Sequence, residues 1–549
     1  MRGNRVVGLL FLLFCTTTVF GQIGNTDLGQ IHGNFQTDFQ YYREDTLIGA
    51  PDVPEDFLLN GFMNLNYTRG NFKAGIRFES YENALLGFDP RYKGTGIPYR
   101  YATYTQDDWE ITAGNFYEQF GSGLIFRAYE ERGLGFDNAM DGIRVKFQPT
   151  KGVRLTGVIG QQRFYFDKGE GIVRGIDVDW NLNESIDSLA NNRWRVILGG
   201  SFVSKYQEDR DPRYNLPLNV GSWAGRATIS RGRWTLFTEA AYKINDPSTV
   251  NNYIYKDGHA LLVNLTYSRK GLGLLLAAKR IDNMNYRSDR TATVNDLLIN
   301  YLPAMTKQHT YRLPALYPYA TQPNGEMGLQ GELTYTFKRN SPLGGKYGTQ
   351  VALNYSVAQS LDLNPLNDTT GIYEPGTDGY DSDFFSWGDE RYFQDLNIEI
   401  TKKVNSKWKF IGTYIYEEYN RAVIEGKPGF IYMQAAILEA QYKISRNHTL
   451  RFEAQGMWTD QDRGDWAMLL VEYSISPNWF FAVQDAYNYG NPEEIRQIHY
   501  YIFSMGYTRG GTRFLANYGK QQEGIFCVGG VCRNVPASNG LSVTITSTF

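Results

Sequence analysis

Charge and glycine interleave most tightly between Gly114 and Gly142. Gly121, Gly123, Gly133 and Gly135 permit sharp turns and close backbone approach. Among and beside them stand Arg127, Glu130, Glu131, Arg132, Asp137 and Asp141, with Arg144 just beyond. Opposed charges on one short irregular stretch suit a ring of fixed charge around an aqueous passage, which sets what passes through it. The same residues have a plainer use. The glycines can shape a kink in a wall while the charges pair into a static network. Catalysis finds less support. The five histidines, His32, His259, His309, His448 and His499, are scattered, and none falls in an HExxH-like spacing. No Ser/His or Asp/His set nominates itself, so the chain is expected not to be an enzyme, with no cofactor and no metal site.

Three other stretches carry distinctive residue types. Residues 283–325 combine Tyr301, Tyr311, Tyr317 and Tyr319 with Pro303, Pro314, Pro318 and Pro323. Asn295–Leu302 within them has the pattern of a short helix capped by Asn295. A loop this long is uncommon unless it has a function. It is expected to be a packed lid, with a gate or a sugar-stacking cap as the alternative. Residues 360–390 are acidic (Asp362, Asp368, Glu374, Asp378, Asp381, Asp383, Asp389, Glu390) but lack the ordered ligand spacing of a calcium loop, so they read as solvated surface. Cys527 and Cys532 enclose the tetrapeptide VGGV and are expected to form a local disulfide if the protein is exported.

The elements that must position these residues are strands. In GNFQTDFQYY, Phe35, Thr37, Phe39 and Tyr41 oppose Asn34, Gln36, Asp38 and Gln40. In NFKAGIRFES, Phe72, Ala74, Ile76 and Phe78 oppose Lys73, Gly75, Arg77 and Glu79. The same alternation recurs around Leu329–Phe337 and Leu450–Trp458, whereas helical periodicity is nearly absent. Short turns repeat near-copies of one phrase: Tyr67-Thr68-Arg69-Gly70-Asn71, Tyr267-Ser268-Arg269-Lys270-Gly271 and Tyr507-Thr508-Arg509-Gly510-Gly511. They alternate with long loops near 283–325, 360–390, 419–428, 486–496 and 522–537. A sandwich has no reason to segregate loop length in this way; a membrane barrel does. The fold class expected is therefore all-β: a single transmembrane antiparallel up-and-down β-barrel of about 24 strands (roughly 22–26), with short periplasmic turns and long extracellular loops.

Both ends agree with that reading. Arg2 and Arg5, the run VVGLLFLLFC and the small residues before Gln22 describe a signal peptide over residues 1–21, leaving 22–549 as the barrel. The last nine residues, LSVTITSTF, place Val543, Ile545 and Phe549 on one face and hydroxyls on the other. A barrel's last strand must pair with its first, and the terminal Phe549 has the form of an insertion signal. Aromatics make up 15% of the residues, 40 of them Tyr, as interfacial girdles require. The net charge is −3, without the basic excess of a nucleic-acid binder. Lys73, Arg77, Glu79, Arg144, Lys146, Glu332, Arg451, Glu453 and Arg513 share the polar face, so a lumen of mixed sign and weak charge selectivity is expected.

The signal peptide, the hairpin array, the terminal Phe549 and the cysteine hairpin together resemble porin-like outer-membrane barrels of the Bacteroidota that have no settled activity. The phrases most individual to the chain are GNFYEQFGSGLIFRAYEERGLGFDNAMDG (Gly114–Gly142) and GIFCVGGVCRNVPASNG (Gly524–Gly540). The resemblance implies the fold and the cell outer membrane, and it implies no substrate. The function expected is passive diffusion of small solutes, with 114–142 lining the constriction. The partners expected are the lipid bilayer, the barrel-insertion machinery and small solutes. The alternative is a plugged barrel that assists assembly, secretion or a surface complex with an outer-membrane protein partner. A barrel-embedded hydrolase comes third.

Overall fold

The structure, a computed structural model, describes residues 28–528 and 531–549, with the backbone alone for 525–528 and 531–534. The expected signal peptide lies outside the described residues.

A single sheet of 24 antiparallel strands closes on itself. Its first strand, Gln30–Tyr42, pairs with Phe57–Arg69 on one side and with the last strand, Ser538–Thr548, on the other. The seam continues to the final residue. Phe549 N–H donates to the Gly33 carbonyl at 2.9 Å, and Gly33 N–H donates back at 2.8 Å. Across the seam, the Thr544 hydroxyl donates to Asp38 at 2.8 Å. Closure leaves this sheet of the described residues without an edge for another chain to template.

Alternation assigns the faces. In the strand Phe72–Asn83, Ile76 and Phe78 are exposed while Arg77 and Glu79 are buried. The exposed set continues around the barrel through Ile111, Ile143, Ile176, Leu276, Leu329, Leu438, Leu469 and Phe503. In water such a belt would drive association; around a closed barrel it is the surface that lipid covers. Rings pair at the strand ends beside the short turns: Trp109 with Phe147 at 3.9 Å, Trp408 with Tyr442 at 4.5 Å and Trp479 with Tyr507 at 4.4 Å. An aromatic girdle at that level fits the headgroup boundary. The protein is an outer-membrane β-barrel, and the lipid bilayer is its solvent.

Connections segregate by length. Turns at 70–71, 107–108, 151–152, 232–233, 270–271 and 510–511 lie at one end, and loops such as 43–56, 117–139, 207–218, 283–324 and 522–537 at the other. Segments 182–193 and 338–348 are long exceptions at the turn end, and 165–166 is a short one at the loop end. The acidic loop narrows to 365–380, because the strands Thr349–Asn364 and Asp381–Lys403 run further than expected through a series of register shifts.

The inward face changes character along each strand. In Phe430–Lys443 the inward residues Ile431, Met433, Ala435 and Ile437 are buried and apolar toward the loop end, and Glu439 follows toward the turn end. Met457, then Gln455 and Glu453, repeat this order on His448–Trp458. A water-filled lumen would not ask for apolar inward residues. They exist because two loops fold inward and pack on them.

Candidate functional site

The first inward segment is 117–139. It turns at Phe120–Gly123 and carries two small hairpins, Glu118–Gln119 with Arg127–Ala128 and Glu130–Glu131 with Phe136–Asp137. Its tip reaches further round the wall, where Ser122 N–H donates to Glu239 of the strand Trp234–Lys243 at 2.8 Å. Glycine is required there. Gly121 has φ +54°, and a Cβ would meet a Glu239 oxygen at 2.5 Å. Leu124, Ile125 and Phe126 are fully buried, in a cluster with wall residues Val158, Val173, Val203 and Val220 and with Ile299 and Met305. Each such side chain contributes about 1.5–3 kcal/mol by leaving water.

The second inward segment, 283–324, clasps the first through its backbone. Arg127 N–H donates to the Ile299 carbonyl at 2.8 Å and Tyr301 N–H to the Gly123 carbonyl at 2.9 Å. Asn300 Nδ2 donates to the Leu124 carbonyl at 3.1 Å, and Asn138 Nδ2 to the Leu298 carbonyl at 2.8 Å. These bonds explain why the helix expected over 295–302 does not form. Ile299 N–H is spent on the Tyr286 carbonyl, and Leu297 sits at φ +52°. The segment then runs to the far side. Leu313 N–H donates to Gln455 at 3.0 Å, Tyr317 to Asp462 at 3.1 Å and Tyr319 to Glu326 at 2.5 Å. Leu313, Tyr317 and Tyr319 are buried among Phe393, Tyr419, Met433 and Trp466. The tyrosine-rich stretch is thus a packed lid seated inside the barrel.

Glu131 apart, the charges singled out in the sequence fall into three places. Asp137 sits in a buried network where it accepts from Arg77, from Arg163 at 2.6 Å and from Tyr117 at 3.0 Å. Glu79 bridges the same two arginines at 2.7 and 2.6 Å, and Glu130 accepts from Arg77 at 2.9 Å and Arg132 at 2.9 Å. Burial pushes Asp137 up, but Arg163 and Arg77 outweigh it and hold the carboxyl below its ordinary value. Arg127 lies between two rings, 3.9 Å from the centroid of Tyr129 and 4.1 Å from that of Tyr301. Asp141 and Arg144 are on the wall: Asp141 pairs with Lys168 at 2.7 Å and Arg100 at 3.2 Å, and Arg144 with Glu110 at 2.7 Å. Glu131 is half-buried and makes no ion pair among the described residues.

A cavity of about 320 Å³ opens at the loop end between 87–92, 134–138, 163–165 and 293–297. Its rim carries Arg91, which pairs with Asp89 at 2.6 Å and Asp296 at 2.8 Å and lies 4.5 Å from the Tyr165 ring centroid. Hydrogen bonds from Arg91 draw the Asp89 carboxyl down to about 2. Aromatic walls with fixed charges of both signs suit a small polar solute.

One further assembly joins residues far apart in the sequence. His309 of the second segment meets two wall carboxylates, Asp395 and Glu417, and their ligand atoms lie within 4.8 Å of one another. Nothing in the spacing of these three residues could have signalled it. Cys527 and Cys532 stand directly opposite in the register of a short hairpin, Gly524–Val528 with Val531–Val535. Their side chains, and with them the expected disulfide, lie outside the described residues.

Comparison with solved structures finds other barrels. The siderophore receptor PirA from Pseudomonas aeruginosa is 10% identical, covering 96% of this chain and 81% of its own, at a TM-score of 0.43. OccAB3 from Acinetobacter baumannii is 10% identical, covering 95% and 99%, at a TM-score of 0.35. OpdQ from Pseudomonas aeruginosa is 9% identical, covering 84% and 99%, at a TM-score of 0.31. No curated protein matches the chain. Over residues 4–549 it matches the model of a family of unknown function, DUF6029, and it belongs to that family.

Proposed function

We propose that the protein is an outer-membrane channel for small solutes, held closed at rest by its own inward segments 117–139 and 283–324. The observation that carries this is the core inside the lumen: Leu124, Ile125, Phe126 and Ile299 have no exposure, and the two segments are joined backbone to backbone. The glycine-rich segment is then part of a plug, and passage requires the plug to shift. The cavity beside Arg91 is the place where a solute first docks. The charges of both signs there favour neutral or zwitterionic solutes over either ion. The barrel-insertion machinery reading Phe549, a disulfide between Cys527 and Cys532, a cleaved leader over 1–21 and a setting in the Bacteroidota belong to the same proposal. So does the absence of catalysis.

A second reading is a barrel that stays plugged and serves a protein partner. It is favoured by apolar residues exposed on and beside the long strand pair at the loop end: Phe385 is 83% exposed, beside Phe384, with Ile372 and Leu366 also exposed.

Solute uptake into proteoliposomes tests the proposal. Wild-type protein is expected to pass small sugars and amino acids slowly, and the double variant Phe126→Ala/Ile299→Ala much faster, both with the heat-modifiable mobility of a folded barrel. Equal and negligible uptake by both would favour the partner reading.

A further inference from the structure

We propose that His309 Nε2, Asp395 and Glu417 bind one divalent transition-metal ion of the Zn²⁺ class, which fastens the second inward segment to the barrel wall. Asp395 and Glu417 are direct cross-strand partners, on Asp381–Lys403 and Trp408–Asn420. Both are buried, at 0% and 1% exposure. Like charges placed directly opposite destabilise a sheet, and burial raises that cost. Neither carboxylate is paired with a lysine or arginine among the described residues, and Lys307 instead reaches Asn397 at 3.3 Å. Among the described residues, the one ion-pair partner of either carboxylate is His309, whose Nε2 lies 2.6 Å from Asp395 Oδ2.

Two further observations point to a cation at this place. Glu417 Oε1 is buried without a hydrogen-bond partner, and so is the hydroxyl of Ser356, which stands directly opposite Asp395 on its other side. Meanwhile Asn354 and Asn397 donate to the other Asp395 oxygen at 3.0 and 2.5 Å. That arrangement orients the carboxylate and turns its second oxygen toward His309 Nε2, as outer partners of metal ligands do. One imidazole nitrogen and two carboxylates suit Zn²⁺ with a fourth position open to water or the Ser356 hydroxyl. A cation there neutralises the two carboxylates. Because His309 is the one ligand not carried by a strand, occupancy also decides how firmly 283–324 stays docked.

The test uses the full chain, folded in detergent, stripped with EDTA and titrated calorimetrically with ZnCl₂. One Zn²⁺ per chain is expected, together with a rise in Tm on saturation. Glu417→Gln and His309→Ala are each expected to weaken binding at least tenfold and to abolish the Tm rise while keeping heat-modifiable mobility. Wild-type protein that binds no Zn²⁺, or either variant binding as tightly as wild type, would overturn the assignment. Binding is read without any transport measurement, so failure here and failure of the closed-channel reading are separate results.

Discussion

Asp137 shows how a charge chosen for chemistry turns out to hold a structure together. Replacing it with Ala leaves Arg77 and Arg163 buried with one carboxylate fewer, and breaking a buried pair in this way costs roughly 3–5 kcal/mol. A thermal melt of Asp137→Ala is expected to show that loss as a lower Tm, with Asp137→Asn milder because its one carbonyl oxygen can still accept from Ala139 N–H. The sign of the pH dependence follows from the depressed carboxyl. The network's contribution is fully present above the ordinary value of 3.8 and is lost as pH falls through the lower folded value. Uptake by proteoliposomes is therefore expected to stay low and constant from neutral pH down to about 4, and to change only in stronger acid. The sequence displayed the charges of 114–142 but not their partners. Arg163 lies on the strand Val153–Phe164, and only the fold brings it to Asp137.

At the scale of elements, the strands were legible, and so was the packed lid over 283–325, but not its clasp with 117–139. Alternation fixed the faces of Phe72–Asn83, and the repeated Tyr-x-Arg turns marked the short end, because each depends on local chain geometry alone. The signal for the plug was present in a subtler form. Phe430, Ile431, Tyr432 and Met433 are apolar on both parities, and a strand apolar on both faces is covered on both. The helical pattern of 295–302 misled because tertiary hydrogen bonds outcompeted it. Two substitutions probe the element directly. Phe126→Ala is expected to cost about 3–5 kcal/mol and to speed solute uptake. Gly121→Ala forces a left-handed residue with a Cβ against Glu239 and is expected to cost about 1–2 kcal/mol, read in the same melts and in uptake.

For the whole molecule, the number of strands and the closure at Phe549 were readable because a membrane imposes them. Every backbone group in lipid needs a partner, so the last strand ends where the first can meet it. Phe549→Ala removes the ring but not the backbone bonds to Gly33. It is expected to slow insertion into the membrane while leaving the stability of the inserted barrel nearly unchanged, as read by the time course of heat-modifiable mobility. The closed lumen stood in the sequence only as the alternative, because it depends on two long loops finding each other inside the barrel. It is also the claim on which function turns. Single-channel conductance in planar bilayers tests it most directly, comparing wild type with Phe126→Ala/Ile299→Ala. The account predicts a wild type close to baseline with brief openings, and a variant that conducts steadily. A wild type that conducts steadily at the level of the variant would contradict it.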